Sequence, residues 1–161
     1  MIRGPRAGDA AAICGIYNHF VANTTVTFGT EPVSEKEMTA EIAAVSDKFP
    51  WVVWEDEGRV LGYAMASEWK SRCAYQFSVE TTIYLVPGAA GKGIGTRLYE
   101  DLLERVAAAG HHSALGGIAL PNPASIALHE KLGFVKVGQL KEVGRKFDQW
   151  IDVGYWQKVF G

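Results

Sequence analysis

The run Val79-Glu80-Thr81-Thr82-Ile83-Tyr84-Leu85-Val86-Pro87-Gly88-Ala89-Ala90-Gly91-Lys92-Gly93-Ile94-Gly95-Thr96 constrains the chain more than any other stretch. Its first half is β-branched and aromatic, the composition of a strand on a pleated surface, and Pro87-Gly88 ends it. From Thr96 the apolar period changes: Leu98, Tyr99, Leu102, Leu103, Val106 and Ala109 fall on one helical face, and Gly110 is placed to cap the end. Between strand and helix, Gly91, Gly93 and Gly95 keep side chains away from a run of backbone amides. A turn of this kind feeding a helix N-terminus suits a phosphate, because free N–H groups and the helix dipole both point at the anion. A glycine-rich turn of this kind is equally compatible with a plain connection.

Counting residues removes two phosphate motifs. A P-loop needs Gly, four residues, then Gly-Lys-Ser/Thr, but Gly91-Lys92 is followed by Gly93, and Val86 stands five before Gly91. A dinucleotide fingerprint needs G-x-G-x-x-G, and Gly91-Lys92-Gly93 leads instead to Thr96. The spacing that remains, x-Gly-Lys-Gly-Ile-Gly after a strand, resembles the GNAT superfamily of acetyl-CoA-dependent N-acetyltransferases. The resemblance implies that the amides of Gly91, Lys92, Gly93, Ile94, Gly95 and Thr96 grip the pyrophosphate of coenzyme A. Ala90 stands where the family usually has Gln or Arg, which removes one side-chain contact and leaves the backbone grip intact.

The rest of the chain supplies a sheet around this unit. Ile2-Arg3 opens a first strand, and Asp9 is placed to N-cap a helix with the stripe Ile13, Ile16, Tyr17 and Phe20. Thr24 to Phe28 reads as extended, and Ser34-Glu35-Lys36-Glu37 has the capping-box spacing of a second helix running to about Val45. Trp51–Glu55 and Val60–Ser67 form a hairpin across Asp56-Glu57-Gly58-Arg59. Ser113–Leu120 is extended, Pro121-Asn122-Pro123 turns, Ala124–Leu132 is a short helix closed by Gly133, and Phe134–Gly138 and Val153–Phe160 are strands. That order predicts an α/β (α+β) fold, a mixed and mostly antiparallel sheet flanked by helices, which the resemblance specifies as the GNAT fold.

Length and charge bound the class. At 161 residues the chain is expected to form a single domain, 1–161, which buries roughly two-thirds of its unfolded surface without staples. A net charge of −2 points to neither nucleic acid nor membrane, and no apolar run reaches the roughly 18 residues of a span. Cys14 and Cys73 are too few for a disulfide framework, so a cytoplasmic protein is expected. No metal is implied, and His111-His112 read as solvated residues after a helix.

Glu80 is the first candidate for chemistry. Strand alternation puts Val79, Thr81, Ile83 and Leu85 on one face and Glu80, Thr82, Tyr84 and Val86 on the other. A buried mid-strand carboxylate has a raised pKa, which suits a general base near neutral pH. By composition alone, a half-exposed or ion-paired Glu80 is equally open. A second pattern, Asn122-Pro123-Ala124-Ser125 then Leu128-His129-Glu130-Lys131-Leu132-Gly133-Phe134, matches the superfamily. There a tyrosine in the place of His129 protonates the departing thiolate, so His129 is either that donor or a packing residue. Asn122 and Ser125 are expected at the cofactor, Asn122 as a polar clamp on the pantetheine or the substrate, with a turn role after Pro121 also open.

Ile16-Tyr17-Asn18-His19, Thr25-Val26-Thr27-Phe28, Trp69-Lys70-Ser71-Arg72-Cys73-Ala74-Tyr75, Val79-Glu80, Leu128-His129, Val143-Gly144-Arg145-Lys146-Phe147, Trp150 and Asp152-Val153-Gly154-Tyr155-Trp156-Gln157 resemble phosphinothricin and methionine sulfoximine N-acetyltransferases, over nearly the whole chain. The resemblance implies Glu80 as base, a backbone amide near Ile83, Tyr84 or Leu85 polarising the thioester, and Phe28, Lys70, Ser71, Arg72 and Tyr75 at the amino-acid site. It further implies acetyl-CoA as co-substrate and a homodimer, with Trp150, Tyr155 and Trp156 either interface or core. Asp148 replaces a usual glycine, which puts that turn in question. Acetylation of another amine, such as a peptide N-terminus, and an acetyl-CoA-binding module without turnover are the competing readings; Glu80 argues against the second.

Overall fold

A computed structural model describes residues 1–161. The elements are β1 (Ile2–Arg3), α1 (Ala10–Asn23), α2 (Glu35–Ala43), β2 (Trp51–Asp56), β3 (Arg59–Glu68), β4 (Ser78–Leu85), α3 (Ile94–Ala108), β5 (Ser113–Ala119), α4 (Pro123–Lys131), β6 (Val135–Lys146) and β7 (Gln149–Val159). They build one seven-stranded sheet in the order β1-β2-β3-β4-β5-β7-β6. Every neighbouring pair is antiparallel except β4 and β5.

Alternation along the strands assigns each side chain to one of two cores. Val52, Ala64 and Val79 face α3 and pack on Leu98, Tyr99, Leu102 and Val106, with Leu132 and Phe134 beside them. Trp51, Val53, Tyr63 and Tyr84 face the other way, against Ile13, Ile16, Met38 and Ile42 of α1 and α2. Leu98 and Leu102 are fully enclosed, so truncating either to alanine costs about 2–5 kcal/mol in transfer and cavity terms.

The local signals in the sequence act as expected at several ends. Ser34 Oγ accepts from the Glu37 N–H, and the Glu37 carboxylate accepts from the Ser34 N–H, a complete capping box. Glu57 and Gly58 turn the β2–β3 hairpin with φ of 50° and 78°. Four expectations are corrected. Thr24–Phe28 is a bent loop after α1, not a strand, because Thr24 Oγ1 folds back on the Phe20 C=O and Val26 N–H donates to Thr24 Oγ1. Asp9 does not cap α1 with its side chain; the carboxylate is taken by Arg3 and the Arg6 N–H. His111 is buried, not solvated, with Nε2 against the Lys48 C=O. The C-terminal strands are longer than their apolar cores indicate and form a hairpin through Phe147 and Asp148, at φ 52° and 58°. That turn answers the question raised by Asp148: the residue adopts the left-handed backbone that glycine usually supplies.

Candidate active site

The site begins where two strands part. β4 and β5 pair only over Ser78–Glu80 with Ser113–Leu115, at the first turn of each strand. Beyond Glu80 they diverge, and β4 loses its neighbour on that side. The Val86 N–H donates to the Leu61 C=O of β3, so by alternation the amides of Glu80, Thr82 and Tyr84 also point at β3. Ile83 and Leu85 therefore aim their N–H groups into the gap, where no strand receives them. A cavity of about 350 Å³ fills the opening, at the lower end of the usual range for a small-molecule site. Glu80, Ile83, Ile118, Asn122 and His129 are among its walls.

Glu80 is half-buried and pairs with no cation. Burial pushes its carboxyl above the usual carboxylate range, and the nearby Lys70 charge pulls it part of the way back. Gly117 of β5 lies beside the carboxylate: a Cβ there would crowd the Tyr155 ring at 3.2 Å and meet Glu80 Oε1 in ordinary contact at 3.5 Å. Of the readings open for this carboxylate, the ion-paired one fails.

His129 reaches the same cavity from α4. Its Nδ1 lies 2.7 Å from the Ser125 C=O, which only accepts, so Nδ1 carries the hydrogen. Burial holds the ring below its ordinary pKa, so the imidazole is neutral and Nε2 is a lone pair. The Tyr99 hydroxyl, 2.9 Å away, must donate to it. Tyr99 Oη in turn accepts from the Thr81 hydroxyl at 2.6 Å. The direction of every proton in this buried chain follows from its one obligatory acceptor. A neutral His129 with its only N–H committed to Ser125 has none to give a departing thiolate, which favours packing over donation among the two roles left open.

The glycine loop turns through Gly88, Gly91 and Gly93 at φ of 89°, 81° and 79°, conformations that side chains resist. No side chain caps α3 at Gly93, so the first-turn amides stay free for an anion. A Cβ added at Gly95 would stand 3.4 Å from Leu85 and 3.7 Å from Leu128, so the start of α3 lies beside the end of β4. Asn122 is the N-cap of α4, its Oδ1 accepting from the Ser125 N–H, which leaves its amide nitrogen and one oxygen lone pair for a ligand.

Phe28 lines the cavity with Val26 and Thr27, as do Leu140 and Val143 of β6 and Tyr155 of β7. Lys70, Ser71, Arg72 and Tyr75 do not line it; all four are exposed in the loop before β4. Lys70 lies over Trp69, which stands edge-on to Tyr155, so this loop borders the mouth. Of the aromatics left between interface and core, Trp156 is core, Tyr155 is site and Trp150 is exposed. Thr27, Thr81, Tyr99 and Tyr155 were not singled out as site residues from the sequence. Tyr99 and Thr81 look like core positions there, because each fits an apolar stripe.

The sequence profile of the acetyltransferase (GNAT) family matches residues 13–134. The chain belongs to this family. This acetyltransferase is 42% identical over 159 residues to the phosphinothricin N-acetyltransferase of Streptomyces viridochromogenes, covering 99% of this chain and 87% of that one. It is 36% identical to the L-methionine sulfoximine/L-methionine sulfone acetyltransferase of Salmonella typhimurium, covering 97% and 92%. Among solved structures, the phosphinothricin acetyltransferase from Sinorhizobium meliloti in complex with AcCoA superposes with a TM-score of 0.95 at 40% identity, over 100% of this chain and 88% of that one. The acetyltransferase thus shares its fold end to end with relatives of the same chemistry.

Proposed function

We propose that this acetyltransferase moves the acetyl group of acetyl-CoA to the α-amine of a small amino acid, of the kind represented by phosphinothricin, methionine sulfoximine or methionine sulfone. The observation that carries the reading is an unpaired, half-buried Glu80 beside a gap into which Ile83 and Leu85 direct free N–H groups. The names of the relatives support the substrate class. Acetyl-CoA supplies the activated acyl group, and the pyrophosphate is assigned to the amides from Gly91 to Thr96 at the start of α3.

Glu80, directly or through one water, takes a proton from the substrate ammonium. The neutral nitrogen then bonds to the thioester carbon. The N–H groups of Ile83 and Leu85 receive the negative charge that grows on the carbonyl oxygen. As the C–S bond breaks, the nitrogen gives up its second surplus proton, which passes through water at the cavity mouth to the departing sulfur, and His129 serves as a neutral wall. Val26, Phe28, Leu140 and Val143 give the amine pocket an apolar lining, which suits a short aliphatic side chain. Lys70 and Arg72 are assigned to the entrance, where a cation can meet the substrate's carboxylate.

A second copy of this chain is the proposed partner. β6 is a long edge strand whose Val135, Val137 and Val143 are all more than half exposed, and an apolar edge of that length calls for cover. Free Cys14 and Cys73 fit a cytoplasmic setting.

Thiol release from acetyl-CoA tests the reading, with phosphinothricin, methionine sulfoximine and methionine sulfone as amines. Turnover is expected with at least one, with kcat about 10²–10⁴-fold lower in Glu80→Gln near pH 7. An unchanged rate in that variant removes Glu80 as base. Preferential turnover of a peptide N-terminus overturns the substrate class.

A further inference from the structure

Lys146 ends β6 and is only 5% exposed. Buried lysines are rare unless paired, yet no carboxylate pairs with this one. Its ammonium instead donates to two backbone carbonyls. The Thr27 C=O lies 2.9 Å from Nζ in a buried contact, and the Phe20 C=O lies at 3.5 Å. The Phe147 ring is 5.2 Å away from the same cation. Phe20 is in the last turn of α1, so the charge also sits at the negative end of that helix dipole. Burial alone holds the ammonium below the ordinary lysine range, as expected where no anion compensates.

The two carbonyls bracket the loop that forms one wall of the amine pocket. Val26, Thr27 and Phe28 line the cavity, and so do Leu140 and Val143 of the strand that carries Lys146. Phe28 itself rests on Gly144, where a Cβ would come within 2.4 Å of the ring. The Thr27 side chain has longer contacts of its own: Tyr17 Oη of α1 and the Gly29 N–H each stand 3.2 Å from its Oγ1. The charged contact from Lys146 is the shortest of the set.

We propose that Lys146 is a positioning residue for the amine: its ammonium ties the Thr27 carbonyl to β6 and so fixes the distance between the two walls that receive the substrate side chain. The proposal rests on the reading of this cavity as the amine pocket. The glycine loop and α3 lie at the other end of the gap, so acetyl-CoA binding does not depend on the tie.

The test compares wild type, Lys146→Met and Lys146→Arg. For Lys146→Met the amine KM is expected to rise about ten-fold or more, the cost of losing a charge-assisted hydrogen bond. The acetyl-CoA KM should stay within about two-fold, and Lys146→Arg should recover most of the amine KM. A parallel rise in both KM values, or no rise in either, overturns the proposal. Hydrogen exchange needs no substrate and separates this outcome from failure of the functional reading. Amides of Thr24, Val26 and Gly29 should exchange faster in Lys146→Met while α3 stays protected. Unchanged exchange in the loop overturns the tie, even where no amine is acetylated by the wild type. If Lys146→Met does not fold, Lys146→Gln, which keeps a donor without the charge, replaces it under the same criteria.

Discussion

Tyr99→Phe isolates the buried proton chain with a single oxygen. Tyr99 is fully buried, and Thr81 and His129 are each 4% exposed. Removing the hydroxyl leaves the Nε2 lone pair of His129 without a donor and the Thr81 hydroxyl without its acceptor. Each buried polar group left unmatched costs about 1–3 kcal/mol, so with two such groups the variant should lose about 2–6 kcal/mol. For a chain of this size about 2–4 °C of Tm accompany each kcal/mol, which puts the fall at roughly 4–24 °C. Urea unfolding followed by tryptophan fluorescence measures it, with an unchanged m-value certifying that the unfolded state is the same. His129→Phe and the double variant complete a cycle. In the His129→Phe background the Tyr99 hydroxyl has lost one partner, so its removal should cost at least about 1 kcal/mol less. Nitrogen NMR of the wild type should find His129 neutral at pH 7 and protonated on Nδ1. A Tyr99→Phe cost under about 0.5 kcal/mol that adds to that of His129→Phe refutes the chain, and a proton on Nε2 refutes its direction.

Glu80 governs pH dependence in two opposite ways. Its carboxyl is raised by burial, so the acid limb of kcat should lie above the ordinary Glu value of about 4.3 and disappear in Glu80→Gln. The same shift means the folded state binds the proton more tightly than the unfolded one. Wild type therefore loses stability as pH rises from the unfolded to the folded pKa of Glu80, and Glu80→Gln should match or exceed its Tm above that window while activity falls. Gly116→Ala places a Cβ 2.6 Å from His129 Nε2; with the ring held on both nitrogens, the overlap should cost about 1–3 kcal/mol in denaturant unfolding. Asp148→Gly relieves a left-handed residue at φ 58° and should raise stability by about 0.5–1 kcal/mol. The Arg145–Asp148 pair it breaks spans 3.8 Å on an open surface and contributes little.

Much of the architecture was legible because it is local. Strand alternation in Val79–Val86, the glycine spacing from Gly91 to Gly95, the Ser34–Glu37 capping box and the 3.6-residue stripe of α3 each involve neighbours within one or two turns, whose geometry depends on residue type. The same alternation correctly sent Glu80 and Tyr84 to the face opposite Val79. What the sequence could not carry was separation in space between distant segments. The gap exists because β5 pairs with β4 for three residues and then leaves, and no residue in either strand announces that divergence. Asn122 had an open choice between clamp and cap, and a distance of 3.1 Å to the Ser125 N–H assigned its oxygen to the cap. His129 matched a motif position, yet the group that donates to its Nε2 is Tyr99, 30 residues away. Lys146 has no role of its own in the sequence until the fold brings Thr27, 119 residues earlier, against its ammonium. Local preference follows from the chemistry of a few adjacent residues, whereas desolvation and hydrogen-bond direction depend on what the completed fold packs around each group.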